Sequence, residues 1–189
     1  MKRINLSISK KGSIDRAIKD LEKYKQNLHR KSELLVSRLM DVGIETAMAH
    51  SGQYAGMITF TKKLSQAISG YDGVLIATDG QKLIKEWYAS KKDGLAKKNV
   101  RSYEVSPLLL AEFGSGWLAN VLDDVPGVGQ GTMPNSMGHA TDPDGWYWYD
   151  ENGVKHHSIG ETPTYPMHSA STAMLSQVDR IAREVFNNG

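Results

Sequence analysis

The chain has 189 residues, of which 40% are hydrophobic and 23% charged, and it contains no cysteine. This length supports one α+β domain with a modest core, and the missing thiols exclude disulfides, thiolate zinc sites and cysteine nucleophiles. Because no run of about 18 apolar residues occurs, we expect no membrane span and no membrane partner. The polar N-terminal stretch also argues against a secretory leader.

The net charge of +2 conceals a strong asymmetry along the chain. Residues 1–31 hold ten basic and three acidic side chains, residues 82–101 hold seven and two, and residues 102–189 hold three and eleven. Solvated surfaces on one folded domain are the simplest interpretation. A second interpretation is a subunit whose basic part faces the acidic part of its neighbour. A third is a nucleic-acid-binding module that uses the basic segments 1–31 and 82–101.

The first predicted element is a long amphipathic helix. Ser13 is the expected N-cap and Asp15 lies in the first turn, where a carboxylate suits the helix dipole. Apolar residues then recur at spacings of three, four and seven as far as Gly43: Ile14, Ile18, Leu21, Leu28, Leu35, Leu39 and Val42. The helix would be on the order of thirty residues long, which exceeds the usual globular helix. Residues 1–12 are expected to form a flexible arm.

Short strands are predicted after this helix. Residues 55–64 alternate in polarity and residues 73–78 form a short apolar run beside glycine, and both patterns are typical of strands. Residues 83–89 fit either a short helix or a third strand, and residues 91–99 are expected to form a polar, lysine-rich loop. A short helix is predicted over 107–113, because proline is favourable in a first turn.

The next stretch, residues 122–145, has five glycines and three prolines and shows no periodicity. We predict a long flexible or partner-contacting loop there. Residues 146–149 and 154–158 flank an Asn-Gly dipeptide, which indicates a β-hairpin. Apolar residues that recur at three and four between 167 and 185 predict a C-terminal amphipathic helix.

The histidines and Ser115 are the candidate metal-binding and catalytic residues. His156 and His157 are neighbours, so on a strand they point to opposite faces and cannot easily share a metal. A metal-dependent hydrolase using His139, His156 or His168 stays a further hypothesis, although the spacing fits no common zinc motif. Ser115 lacks the frame of a nucleophile elbow. We therefore expect no catalytic residue, no metal and no cofactor, and a protein that is not an enzyme.

The aromatic run Trp146-Tyr147-Trp148-Tyr149 is a candidate interface. In a strand the two tryptophans share one face and the two tyrosines share the other. One pair can enter the core, and the other pair would then anchor a contact with a partner, because such side chains bury large areas. The alternative is that the monomer covers both faces.

The residues from Pro107 to Gly116 resemble the P-L-x-x-x-E-F-G-[ST]-G element of a tailed-phage family of tail-completion, head–tail joining or minor tail proteins. The aromatic strand and Gly160 to Met167, which resemble the family's G-x-x-[PA]-x-x-[FPM]-[FM] element, extend the likeness. It covers the C-terminal half, and the N-terminal half agrees only in the order of elements. The positions that match the two elements are Pro107, Glu112, Phe113, Gly114, Gly116, Gly160, Pro163 and Pro166.

The resemblance implies a single α+β domain over residues 1–189, with a small, mainly antiparallel sheet packed with a long N-terminal helix and a C-terminal helix. It also implies a virion structural subunit that forms a homo-oligomeric ring, a hexamer or dodecamer, in the neck. Its partners would be the adaptor, stopper, tail terminator or tail tube, with DNA passing through the lumen. The chain would assemble in the host cytoplasm and reside in the virion neck or tail.

The resemblance brings no catalytic residues with it. Its matching positions are expected to fix the fold, with the Glu112-Phe113-Gly114 turn setting a buried aromatic beside a tight bend. Contacts with neighbours are expected from residues 122–145, where this chain departs from the family, and from the aromatic strand. The basic N-terminal region, with Lys19, Lys23 and Arg30, is the other expected contact.

Overall fold

The computed structural model describes residues 12–68, 70–91, 94–116, 144, 146–149 and 154–187. Three helices and eight strands are assigned within these ranges, together with a 3₁₀ turn over Gly52–Tyr54. The helices are α1 (Ser13–Ala49), α2 (Pro107–Phe113) and α3 (Pro166–Asn187). The strands are β1 (Ile58–Ala67), β2 (Gly70–Asp79), β3 (Leu83–Lys91), β4 (Gly94–Val105), β5 (Ser115–Gly116), β6 (Trp146–Tyr149), β7 (Lys155–Ser158) and β8 (Gly160–Glu161).

The described strands form three small sheets, in which every pairing is antiparallel. β1 pairs with β2, β5 pairs with β8, and a four-stranded sheet has the order β4-β3-β6-β7. α1 packs against α3 and against the β1–β2 hairpin. The α+β class is confirmed, with a small antiparallel sheet and with a long N-terminal helix that packs against a C-terminal helix.

Helix α1 differs from the prediction at both ends. It begins at Ser13, and Gly12 precedes it with φ 90° and without a side-chain cap, so the expected N-cap at Ser13 was wrong. The helix also continues past Gly43 to Ala49. Gly43 lies in the contact with α3, where a Cβ atom would come within 2.8 Å of Met174 Sδ. The glycine therefore permits a close approach of two helices and does not end one.

Two elements lie along α1. Helix α3 runs antiparallel to it, because Lys31 contacts Phe186 near the end of α3 whereas Gly43 meets the earlier Met174. The β1–β2 hairpin also approaches closely, since a Cβ atom at Gly73 would lie 2.6 Å from Val36 Cγ1. These contacts involve the C-terminal half of α1.

The segment after β2 is strand-rich. Residues 83–89 belong to strand β3, which settles the choice between helix and strand. The prediction of a loop over 91–99 was wrong, because Gly94 begins the long strand β4. Pairing with β3 runs from Leu83↔Val105 to Lys91↔Gly94, with a register shift between Tyr88 and Ser90. Cross-strand pairing therefore outweighs the low intrinsic strand preference of lysine.

The main core lies where β1, β4 and α2 meet. Its buried members are Tyr54, Ile58, Val105, Leu110 and Ala111. Further buried apolar residues lie on α1 and α3, which pack against each other: Met40, Ala47, Ala170, Ile181 and Val185. Among the described helices, none combines the length and apolar character needed to cross a membrane.

Candidate assembly site

The two sequence elements that resemble the phage family meet in space. We call residues 107–116 and 160–167 together the motif cluster. Its two segments pair as strands β5 and β8, with Ser115 opposite Glu161 and Gly116 opposite Gly160. The backbone amides of Thr164 and Tyr165 donate to the carbonyl oxygen of Ala111 at 2.8 and 3.0 Å. Backbone hydrogen bonds thus join segments that are far apart in the chain.

Gly114 lies at the tightest point of this cluster. It ends α2 with φ 66°, a conformation that L side chains rarely adopt. A Cβ atom there would lie 2.7 Å from Pro163 Cδ and closer still to the carbonyl oxygen of Glu161. Both the backbone conformation and the available space therefore require glycine at this position.

Glu112 caps the C-terminal helix from a different helix. Its carboxylate accepts hydrogen bonds from the backbone amides of Met167 at 2.7 Å and His168 at 3.0 Å. These amides belong to the first turn of α3, where helical partners are lacking and negative charge is favourable. Tyr165, just before the buried Pro166, has φ 55°. Burial, together with the charge of Glu112, raises the pKa of Tyr165.

Glu161 connects the motif cluster to the main core. Its carboxylate accepts a hydrogen bond from the buried Tyr54 hydroxyl, and Gln53 Nε2 lies 3.4 Å from the same oxygen. Burial and this hydrogen bond to Glu161 raise the pKa of Tyr54 above its usual value. The backbone amide of Glu161 also donates to Ser115 Oγ at 3.1 Å. Both the side chain and the backbone of Glu161 are therefore used in positioning β8.

A third carboxylate, that of Asp79, holds the start of α2. Asp79 Oδ1 accepts from the Leu108 amide and from Ser106 Oγ, each at 2.9 Å. Ser106 Oγ accepts in turn from the Leu109 amide at 3.1 Å, which is a regular N-cap. Burial disfavours the charged form of Asp79, but these hydrogen bonds and the nearby Lys82 hold its pKa below the usual value.

Not every motif residue is used as expected. Phe113 is only half-buried, so the expectation of a buried aromatic at this turn was wrong. The side chains of α2 that fill the core are Leu110 and Ala111, each 1% exposed. Leu110 and Ala111 lie two residues and one residue before Glu112. Their burial, rather than that of Phe113, fixes the end of α2 against the core. The matching prolines are buried: Pro107, Pro163 and Pro166.

The predicted basic contact residues lie away from the motif cluster. Lys19, Lys23 and Arg30 are exposed and, at spacings of four and seven, share one face of α1. Arg30 Nη2 also lies 3.4 Å from Asn27 Oδ1. The motif cluster contacts the opposite end of the helix, through the turn that contains Tyr54. The structure therefore separates these two predicted regions along the length of α1.

The aromatic run forms strand β6, as predicted. It pairs with β7 from Trp146↔Ser158 to Tyr149↔Lys155, and Tyr149 also lies opposite Tyr88 of β3. The structure describes the backbone of this strand and not its four aromatic side chains, those of Trp146, Tyr147, Trp148 and Tyr149. Most of the predicted loop over 122–145 and the arm over 1–12 lie outside it as well.

The first half of α1 presents an apolar stripe. We call residues 14–28 the distal half of α1, since they lie beyond Lys31, which contacts Phe186 near the end of α3. Five large apolar side chains there are between 44 and 66% exposed, whereas the small Ala17 is buried. The five are Ile14, Ile18, Leu21, Tyr24 and Leu28. Such a contiguous exposed patch commonly marks an interaction surface.

Two of the candidate histidines have hydrogen-bond contacts in the described part of the structure. His157 Nε2 lies 2.6 Å from the carbonyl oxygen of Asp144, and the backbone of His168 donates to Glu112. Within the described ranges, no three His, Asp or Glu side chains are grouped to hold a metal ion. His139 lies outside those ranges.

Compared with models of protein families, with curated proteins and with solved structures, the chain matches none of them. In the motif cluster, Glu112, Gly114 and Glu161 hold backbone segments in position. On the distal half of α1, apolar and basic side chains face outward and can contact a partner.

Proposed function

We propose that the chain is a structural, non-enzymatic subunit of a tailed-phage neck, which forms a ring at the head–tail connection and acts in tail completion or head–tail joining. The observation that carries the proposal is the motif cluster. Its two segments are the ones that resemble the phage family, and they meet in one hydrogen-bonded unit. Within that unit Glu112 caps α3, and Gly114 occupies a position that requires glycine.

The motif cluster lies near the C-terminal end of α1, and the exposed apolar stripe lies near its N-terminal end. This separation supports an assembly role. The motif cluster and the main core hold one end of the molecule, through the hydrogen bond between Tyr54 and Glu161. The distal half of α1 extends about 22 Å, at 1.5 Å per residue, and presents apolar and basic faces. A ring subunit needs such surfaces, because each copy must contact the next through residues that its own core does not use.

The partners follow from the same proposal. The ring would be a hexamer or dodecamer of this chain, placed beside the adaptor, stopper, tail terminator or tail tube, with DNA passing through its lumen. The face that contains Lys19, Lys23 and Arg30 would contact an acidic surface, since complementary charge sets orientation between subunits. Assembly would occur in the host cytoplasm, and the mature protein would reside in the virion.

The experiment is a gene deletion in the phage that encodes the chain, followed by complementation. Without the protein we expect filled heads and unattached tails in electron micrographs, and wild-type protein should restore joined particles. Gly114→Ala should fail to restore them, because it disrupts the motif cluster. Gly56→Ala is the matched control, since a Cβ atom at Gly56 meets nothing within 4 Å. Normal infectious particles from the deletion would refute the proposal.

A second candidate function is nucleic-acid binding, and the shared basic face of α1 is the observation that favours it. Exposed lysine and arginine side chains on one helix face are what phosphate contacts require. A gel shift with duplex and single-stranded DNA at low salt tests this function. Replacing Lys19, Lys23 and Arg30 by glutamate should abolish the shift, and salt should weaken it. No binding by the wild-type protein at low salt would eliminate this candidate.

A further inference from the structure

Strand β2 has an open edge. In the part of the chain that the structure describes, β2 pairs with β1 on one side and with no strand on the other. Among the described residues, no backbone–backbone hydrogen bond joins 70–79 to a segment other than β1. Residues 70–79 also include no lysine or proline, the residues that commonly protect such edges. The edge therefore presents N–H and C=O groups that can pair with an added strand.

Helix α3 lies beside β2 along α1. A Cβ atom at Gly43 would lie 2.8 Å from Met174 Sδ of α3 and 3.3 Å from Leu75 Cδ2 of β2. Three large apolar side chains on one side of α3 are between 37 and 73% exposed: Leu175, Val178 and Phe186. No described strand covers them.

The exposed side of α3 faces the layer of the β1–β2 hairpin. Arg38 of α1 is two residues from both Val36 and Met40, which approach β2, so its side chain points away from the hairpin. Arg38 Nη1 lies 3.4 Å from Glu184 Oε2 of α3. Leu175 is about two and a half turns from Glu184 and therefore lies on the opposite side of α3. We call the open edge of β2 and the exposed side of α3 together the strand groove.

One segment of the sequence has the pattern that the strand groove requires. Residues 4–8 alternate in polarity, with Ile4, Leu6 and Ile8 as the apolar members. In a strand these three share one face and span about 14 Å, and Leu175 and Phe186 are about 17 Å apart along α3. The polar residues between them would face solvent. The segment lies outside the described ranges and precedes the distal half of α1.

The segment is too close to the start of α1 to enter the strand groove of its own molecule. The nearest end of the groove is Phe186, which contacts Lys31. Lys31 is about 28 Å from Gly12 along the helix. Four residues take the chain from Ile8 to Gly12, and they extend at most about 14 Å. A second copy must therefore supply the strand.

We propose that residues 4–8 of one copy add as a strand to β2 of a neighbouring copy, with their apolar face packed against the exposed side of α3. The distal half of α1 extends beyond its own α3 and carries the segment outward to the neighbour. Main-chain hydrogen bonds along the open edge give such a contact its affinity. The contact is head-to-tail, because each copy gives one strand and accepts one at a different surface, and such contacts can close into a ring.

This inference goes beyond the proposed function, since it names the segment that is exchanged and the surface that receives it. It concerns the purified protein and does not need a virion. If exchange failed while the protein was still found at the neck, only this inference would be rejected. If exchange occurred in a protein absent from virions, only the proposed function would be rejected.

Disulfide formation in a double variant tests the exchange, because the chain has no native cysteine. Leu6→Cys puts one thiol on the apolar face of the strand, and Val178→Cys puts the other on the exposed side of α3. Under mild oxidation of the full chain, we expect a ladder of covalent multimers on a non-reducing gel, since each molecule links to two others. An internally linked monomer would overturn the proposal, and so would the absence of cross-links.

Two matched controls move one thiol at a time. Ser7→Cys with Val178→Cys puts the strand thiol on the opposite face, and Leu6→Cys with Ser176→Cys puts the helix thiol about 200° round α3 from Val178. Both helix positions are exposed, so all variants should fold, which circular dichroism verifies. We expect several-fold fewer multimers from each control. Equal amounts from the controls and from the test variant would contradict strand addition in the groove.

Discussion

The motif cluster and the distal half of α1 are built in opposite ways. In the motif cluster, carboxylates bind backbone groups: Glu112 caps α3, and Asp79 of the neighbouring strand β2 accepts from the first turn of α2. In the distal half, the large apolar side chains are exposed. The first arrangement gives one fixed backbone geometry, and the second leaves a surface that a partner can cover. Substitutions should therefore affect stability in the motif cluster and association in the distal half.

The largest loss of stability is expected from Gly114→Ala. The new Cβ atom would clash with Glu161 and Pro163, and alanine would have to adopt a positive φ. Backbone strain and overpacking together should lower the free energy of unfolding by about 3 kcal/mol or more. Urea denaturation measures the loss. Gly56→Ala should change it by less than about 0.5 kcal/mol, and equal losses for the two variants would contradict the role given to Gly114.

Removing the cap on α3 should have the next largest effect. Glu112→Ala eliminates two charge-assisted hydrogen bonds to the first turn of the helix. We expect the free energy of unfolding to fall by about 1.5 to 3 kcal/mol, and Glu112→Gln should lose less because one acceptor remains. The exposed Glu33 on α1 gives a control, since Glu33→Ala should be nearly neutral. A neutral Glu112→Ala would show that the cap is dispensable.

A smaller, pH-dependent effect is expected at Asp79. Because its pKa is lower in the folded protein, ionised Asp79 stabilises the fold at all pH values above its unfolded pKa of about 3.9. This contribution is lost as the pH falls through the folded pKa. Asp79→Asn should therefore cost about 1 kcal/mol near neutral pH. The difference from wild type should shrink below about pH 4, and a constant difference from pH 7 to pH 3 would contradict the role of the charge.

The smallest change in stability is expected from Leu21→Gln in the distal half. Leu21 is 55% exposed and glutamine is a good helix former, so the free energy of unfolding should change by less than about 0.5 kcal/mol. Association should suffer instead. Sedimentation velocity over a range of concentrations should show weaker self-association than in wild type. A large loss of stability without any change in association would contradict the assignment of the distal half to association.

The sequence predicted those elements that depend on residues close together in the chain. Pro107 marked the start of α2, and the apolar spacing before Val185 marked α3. The end of α1 was missed because Gly43 serves a contact with Met174, which is remote in the chain. Strand β4 was missed because its pairing with β3, rather than its lysine-rich composition, determines its structure.

The motif cluster was only partly predictable, because its contacts join residues that are remote in the chain. The resemblance marked Glu112 and Gly114 as structurally important, but no spacing indicates that Glu112 caps a helix more than fifty residues later. Tyr54 and Asp79 carried no local signal of their hydrogen bonds to distant segments. The apolar stripe of the distal half was predicted from helical periodicity. Its exposure became evident only once the end of α3 was located opposite Lys31.

Immunogold labelling of purified particles tests the central claim most directly. An epitope tag on a chain that still complements the deletion would show where the protein resides. The proposed neck subunit predicts label at the head–tail junction in joined particles, and loss of that label when Gly114→Ala replaces the wild-type protein. Label elsewhere on the particle, or protein found in the lysate and never in purified particles, would contradict the claim.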